Sequence, residues 1–321
     1  MNCENYNLRH IEWTAGANSP HIFTMKDFNT AMKLIPNPNF KEPLDVALYI
    51  FYGVCNLELG NNEPVIQSFS KVIEVHPDYS DAYNYQGLAY LNLGQYEKAL
   101  ERFTVAISIG NETTYAPLDR YYFNRGSAHT MLMKYIEAID DFNRSIKHNI
   151  VSEDVYIARG AAYNFLGKYD DALKDFVQAL RLKPDSRFAH LYCGMVYFNV
   201  GKYEESVEFF TKVEKMAPSV YVYLNRGMAF AYLQKYETAM KDFDNALKLE
   251  PMNPNIYKLR GIAYLKWGKY QEAISDFDKS IKLNPNDLQT CQGRDEAYKA
   301  LNLKDYKPIV PSTKMESNPF Y

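Results

Sequence analysis

Few cysteines, few tryptophans and no block of like charge mark this chain. The four cysteines, Cys3, Cys55, Cys193 and Cys291, stand far apart with no Cys-x-x-Cys pair. That argues against both a zinc site and a disulfide framework. Such thiols are expected to be buried or idle in a reducing compartment. No long run of Lys or Arg occurs, and the formal charge is -3, so a nucleic-acid backbone is not an expected partner. No apolar run approaches the roughly 20 residues needed to span a bilayer. The opening MNCENYNLRHIEW lacks the apolar stretch of a signal peptide, and a cytoplasmic location is expected. Asn111-Glu112-Thr113 and Asn143-Arg144-Ser145 match the glycosylation sequon. Without a secretion signal they read as chance.

Signs of catalysis are absent too. No GxxxxGK(S/T) or GxGxxG loop offers a phosphate cradle, and there is no HExxH. The histidines are scattered, and His129 and His190 fall where equivalent stretches carry aromatic residues, so core packing is expected there. Asp140-Asp141 and Asp170-Asp171 are adjacent acids. Helix neighbours point about 100° apart and make poor catalytic or metal pairs. Asp170-Asp171 instead suits the start of a helix. No cofactor, no metal and no enzyme activity are expected.

What the chain has in abundance is a repeating unit, clearest between Pro254 and Pro285. Tyr257, Gly261 and Tyr264 share one face of a first helix, and Ala273, Phe277 and Ser280 share one face of a second. Gly268 and Tyr270 mark the turn between them, and Pro285 stops the unit. The same glycine recurs at Gly53, Gly87, Gly126, Gly160, Gly194, Gly227 and Gly261, with spacings of 34, 39, 34, 34, 33 and 34 residues. The spacing of 39 reflects an insertion around Gly110–Leu118, expected to be a loop. A small residue faces each glycine from Ala99 to Ala273, including Ser206, and a ring follows one turn later: Phe103, Phe142, Phe176, Phe210, Phe243 and Phe277. Ser152, Ser186, Ser219, Asn253 and Asp287 read as helix N-caps, and the turn tyrosines Tyr96, Tyr169, Tyr203 and Tyr270 read as structural.

This pattern resembles the tetratricopeptide repeat (TPR), a helix–turn–helix unit of 34 residues. The resemblance implies an all-α, right-handed superhelix (an α-solenoid) of seven full repeats over residues 46–287. Residues 1–45 would hold an N-terminal segment with a degenerate half-repeat at MKDFNTAMKLIP. Residues 288–306 would form a C-terminal capping helix with Asp295 at the glycine position, and 307–321 a mobile tail.

Comparison among the repeats adds a pairing. Arg125, Arg159, Arg226 and Arg260 precede the glycine in the same four repeats where Asp141, Asp175, Asp242 and Asp276 precede the phenylalanine. The other repeats have neither residue. A within-repeat ion pair is expected, worth ~0–1 kcal/mol if half exposed.

The resemblance further implies a non-catalytic scaffold or adaptor, or else a chaperone-like assembly or regulatory subunit, with a partner protein or peptide held in the concave groove. Asn124 and Asn225 stand where a carboxylate clamp for chaperone tails has its middle asparagine. The neighbouring helices offer Asn84 with Leu88, Leu191 with Met195, Asp154 with Ala158, and Asn255 with Leu259, so the clamp's cations are missing and no chaperone tail is expected. The expected partner-binding set is instead mostly apolar: Phe123, Ile157, Phe165, Phe188, Leu191, Met195, Tyr221, Leu224 and Met228, together with Asn124 and Asn225. An apolar or amphipathic segment docking across repeats four to six is the expected partner.

Overall fold

The computed structural model describes residues 43–111, 116–148 and 152–301. The half-repeat expected before residue 43, the centre of the loop after Gly110 and the tail from Lys307 lie outside the described residues. Among those described there are fifteen α-helices and no strand. They are α1 Pro43–Glu58, α2 Asn62–Val75, α3 Ser80–Asn92, α4 Tyr96–Asn111, α5 Leu118–Met131, α6 Tyr135–Lys147, α7 Glu153–Phe165 and α8 Tyr169–Leu182. They continue as α9 Arg187–Asn199, α10 Tyr203–Met216, α11 Val220–Tyr232, α12 Tyr236–Leu249, α13 Pro254–Trp267, α14 Tyr270–Leu283 and α15 Leu288–Ala300. The described residues fall into two compact units, one ending at Leu182 and the other beginning at Lys183. The first contains four helical hairpins, α1–α2 to α7–α8. The second contains three, α9–α10 to α13–α14, followed by α15.

The second helix of each hairpin is amphipathic. In α6 the residues Ala138, Phe142 and Ser145 are buried at helical spacing, while Glu137, Asp140 and Arg144 face water. The ring one turn beyond the small residue is fully buried in every hairpin, from Phe69 to Phe277. It packs directly on the first-helix glycine. A Cβ added at Gly87 would lie 2.5 Å from Phe103, and one at Gly160 2.7 Å from Phe176. No side chain fits there without displacing a buried ring.

Asn253 and Asp287 accept backbone N–H bonds at 3.0 and 3.1 Å, and Ser186 and Ser219 do so at 3.4 Å. Ser152 is an N-cap by position, without a side-chain capping bond. His190 is buried, as expected, and also plays a part that tyrosine has elsewhere. Its Nε2 lies 2.9 Å from the Pro184 carbonyl, as the Tyr83 and Tyr257 hydroxyls donate to the Pro77 and Pro251 carbonyls at 3.1 and 2.9 Å. Tyr203 and two tyrosines at the equivalent place in other repeats, Tyr135 and Tyr236, reach forward to the next hairpin. Tyr135 stacks on Phe165 at 4.9 Å, Tyr203 on Tyr232 at 4.7 Å and Tyr236 on Trp267 at 5.3 Å.

All four arginine–aspartate pairs form, each with two hydrogen bonds. Arg Nε and Nη2 donate to Asp141, Asp175, Asp242 and Asp276 over 2.6–2.9 Å. The pairs are more enclosed than the half-exposed case, with every carboxylate buried. Each guanidinium also lies over a tyrosine three residues earlier, at 5.6–5.9 Å for Tyr122, Tyr156, Tyr223 and Tyr257. Burial pushes the Asp242 carboxyl up, more than Arg226 pulls it down. Arg226 is itself held higher, first by its hydrogen bond to Asp242. The two bonds of 2.8 Å mark a charged pair.

The third guanidinium nitrogen reaches the residue that follows the phenylalanine of the preceding hairpin. Nη1 of Arg125 donates to Thr104, of Arg159 to Asn143, of Arg226 to Thr211 and of Arg260 to Asp244. Arg294 of α15 meets Asp278 in the same way, at 3.0 Å. So Arg294 is buried, while Gln289, Gln292, Glu296 and Lys299 of α15 are exposed. The glycine that packs in α15 is Gly293, whose added Cβ would lie 2.8 Å from Phe277. Among the described residues α15 has no following helix to close on, and its tight approach is to the hairpin before it.

Candidate functional site

The expected partner-binding residues fall in both units. In the first, Phe123 of α5 packs beside Phe142, with ring centroids 5.8 Å apart. Asn124 is 2% exposed and its amide donates to Asn84 Oδ1 at 2.8 Å, joining α5 to α3. That amide is an internal tie between first helices. Ile157 is half-buried on α7. Phe165 is 47% exposed, with one face of its ring on Tyr135.

The second unit brings a larger group together. Phe188 near the start of α9 is 41% exposed, and the Arg187 guanidinium lies 4.9 Å from its ring centroid. Leu191 and Met195, one and two turns on, are half-buried against Phe210, Val213 and Val222. Tyr221 of α11 is 45% exposed, and its hydroxyl donates to Met195 Sδ at 3.1 Å, joining α11 to α9. Leu224 lies one turn further along α11 and is half-buried. Asn225 donates to the Tyr221 carbonyl of its own helix at 2.7 Å. Met228 is 8% exposed, packed with Ala231, Ala239, Phe243 and Ala263. It is core, because α13 closes over that side of α11.

A cluster outside the expected partner-binding set adjoins these residues. At the far end of α11, Tyr232 stacks on Tyr203 and meets Phe198 edge-on at 5.5 Å. The Lys266 ammonium of α13 lies 4.3 Å from the Tyr232 ring centroid. Lys269 lies 3.6 Å from that of Trp267, and the Tyr236 hydroxyl donates to the Lys266 carbonyl at 3.0 Å. The signal available in the sequence was Lys266 beside Trp267, where the two preceding repeats have Asn199-Val200 and Tyr232-Leu233; Lys269 itself recurs in them as Lys202 and Lys235.

Burial pushes the Cys55 and Cys193 thiols up to about 11 and about 12, so neither is a ready thiolate at neutral pH. Among the described residues no three His, Cys, Asp or Glu side chains gather as a metal site requires. No described helix is long and apolar enough to cross a membrane.

Comparison with known proteins finds the same repeat, and two of the matched stretches coincide with the hairpins α7–α8 and α13–α14. Tetratricopeptide repeat family profiles match residues 68–101, 153–186, 194–220 and 254–287, and a TPR repeat profile matches 227–268. The chain belongs to the tetratricopeptide repeat proteins. Over 70 residues it is 39% identical to Heat shock protein STI1 of Saccharomyces cerevisiae, a match spanning 22% of this chain and 11% of that protein. A chain of the APC/C hetero-tetramer Cut9-Hcn1 is similar in structure, with a TM-score of 0.63 at 15% identity, covering 85% of this chain and 51% of that one. A tetratricopeptide repeat protein of Parabacteroides merdae has a TM-score of 0.60 at 22% identity, covering 79% and 99% respectively. The last two likenesses concern the fold.

Proposed function

We propose that this protein is a non-catalytic, cytoplasmic interaction scaffold or adaptor. It holds an apolar or amphipathic segment of a partner protein on the first helices of its second unit. One observation carries the reading: Phe188 and Tyr221 stand exposed on adjacent first helices, with Leu191, Met195 and Leu224 half-buried between them. Large apolar side chains grouped in this way favour a protein surface over water. Met195 suits an adaptable contact. The formal charge of -3 supports a protein partner over a nucleic acid. A chaperone-like assembly or regulatory subunit is the second reading, supported by the stretch similar to Heat shock protein STI1.

The exposed residues give the cleaner test. Leu191 and Leu224 pack against the interior, so a charge there would unfold the hairpin as well as block a partner. The double variant Phe188→Ser/Tyr221→Ser should lose the partners that the wild type retains in quantitative affinity purification, with its helical melt unchanged. Retention of every partner by the variant would place the binding surface elsewhere. A single stoichiometric partner lost would favour the assembly subunit, and many unrelated ones the adaptor.

A further inference from the structure

Repeat seven carries Asn255 and Lys258 where repeats five and six are apolar, and Lys266 where they have Asn199 and Tyr232. The structure separates the two lysines. Lys258 is closed off by Asp287, at 3.0 Å. Lys266 is exposed and rests on Tyr232, while Lys269, three residues on, rests on Trp267. Among the described residues neither ammonium has a carboxylate within ion-pair distance, unlike Lys71, Lys174 and Lys212. The C-terminus of α13 alone would favour a lysine there. It does not call for an aromatic ring beneath each ammonium. Those rings are themselves fixed, Tyr232 by Tyr203 and Phe198, and Trp267 by Tyr236. Two unneutralised cations are thus held in place on rigid aromatic surfaces.

We propose that the first-helix face of the second unit selects an acidic apolar segment in one orientation. Its apolar residues cover Phe188, Tyr221 and Leu224, and its carboxylates meet Lys266 and Lys269. This rests on the groove reading above and adds the charge and direction of the occupant. The reach is consistent. Tyr221 and Tyr232 are eleven residues apart on α11, about 16 Å at helical rise, which an extended segment of about five residues spans. A carboxylate arriving beside Tyr232 replaces water around an ammonium already held by the ring, so little side-chain order remains to be gained on binding. A basic segment entering the same way would meet like charge.

The test uses a displayed library of random twelve-residue peptides, selected on the full-length protein. The enriched peptides should carry Asp or Glu to one side of their apolar residues. Measured by fluorescence anisotropy, their affinity should fall at least tenfold on Lys266→Met/Lys269→Met. That variant keeps apolar stems on the rings and removes the charge. The fall should be similar when the peptide's acids become Asn or Gln, with the protein's helical melt unchanged. Enriched peptides without acids, or equal affinity for the Met variant, would overturn the inference. Their loss on Phe188→Ser/Tyr221→Ser would then leave the groove reading standing. No enrichment, or binding indifferent to both variants, would overturn both.

Discussion

His129 sits where Tyr90, Tyr163, Tyr197 and Tyr264 stand in other repeats, with Nε2 3.7 Å from the Asp141 carboxylate. Burial pulls its pKa down, more than Asp141 pushes it up, with Arg125 and Lys134 adding to the fall and Glu137 opposing it. A histidine lowered in the fold takes up its proton first in the unfolded chain. Its neutral form therefore contributes full stability above the ordinary histidine pKa of about 6.5, and that stability is lost as pH falls below it. The difference in melting temperature between His129→Tyr and wild type should widen from about pH 8 to about pH 5, the span over which histidine changes charge. Parallel profiles would mean that His129 is indifferent to its site. The arginine–aspartate pairs make a second residue-scale expectation. Asp276→Ala leaves Arg260 with Asp244 as its carboxylate partner and two guanidinium N–H donors without Asp276, and should cost about 1–3 kcal/mol in chemical denaturation, the range for buried donors that lose their acceptor. Arg260→Met/Asp276→Leu, which removes both charges, should cost less. The within-repeat pairing was legible in the sequence because both partners keep their residue type. The third contact was not, because Thr104, Asn143, Thr211, Asp244 and Asp278 share only polarity. The sequence also holds the complementary case: Val177 follows Phe176, and the next repeat has Cys193 in place of the arginine.

At the scale of the element, the inter-helix turn shows where local chemistry was followed and where it was not. Gly94, Gly167, Gly201 and Gly268 adopt φ of 72–79°, the left-handed region that favours glycine. Met133 occupies the same place with φ 58°. Its side chain is exposed, so nothing in the packing offsets the backbone cost. Met133→Gly should stabilise the third hairpin by about 0.5–1 kcal/mol, the gain in the folded turn being partly offset by the freer unfolded chain. A lower melting temperature for that variant would contradict the account. The last helix depends on Asp287, which caps α15 and pairs with Lys258. Burial acts to raise its pKa, yet the bonds from Lys258 and Thr290 together hold it below the usual aspartate value. A lowered carboxylate contributes its stability above the ordinary pKa of about 3.9 and loses it as pH falls further. Hydrogen exchange of α15 in Asp287→Asn should therefore be faster than wild type at neutral pH and converge with it in acid. Helix boundaries and caps were legible here because Asn253, Asp287 and the prolines act on their own few residues. Which groove methionine stays accessible was not legible: Met195 and Met228 are the same residue type, and only the approach of α13 separates them.

At the scale of the whole molecule, each unit is held by contacts that recur from hairpin to hairpin. The arginine of one repeat bonds its own second helix and the second helix before it. Arg226 touches Asp242 on α12 and both Thr211 and Glu214 on α10. Arrays of this kind have stabilities set by each repeat together with its neighbours. Arg226→Met should therefore quicken hydrogen exchange in α10 as well as in α12, and leave α15 unchanged. A response confined to α12 would reduce the arginine to an internal brace. If α10 does respond, the repeats are not interchangeable parts. A hairpin spliced into another array would bring an arginine whose forward partner travels with it and whose backward partner stays behind. Recombination within this chain is then constrained to move segments bounded by matched seams. The workable unit of exchange is the stretch from one second helix through the next, both included, longer by one helix than the unit that the 34-residue period suggests.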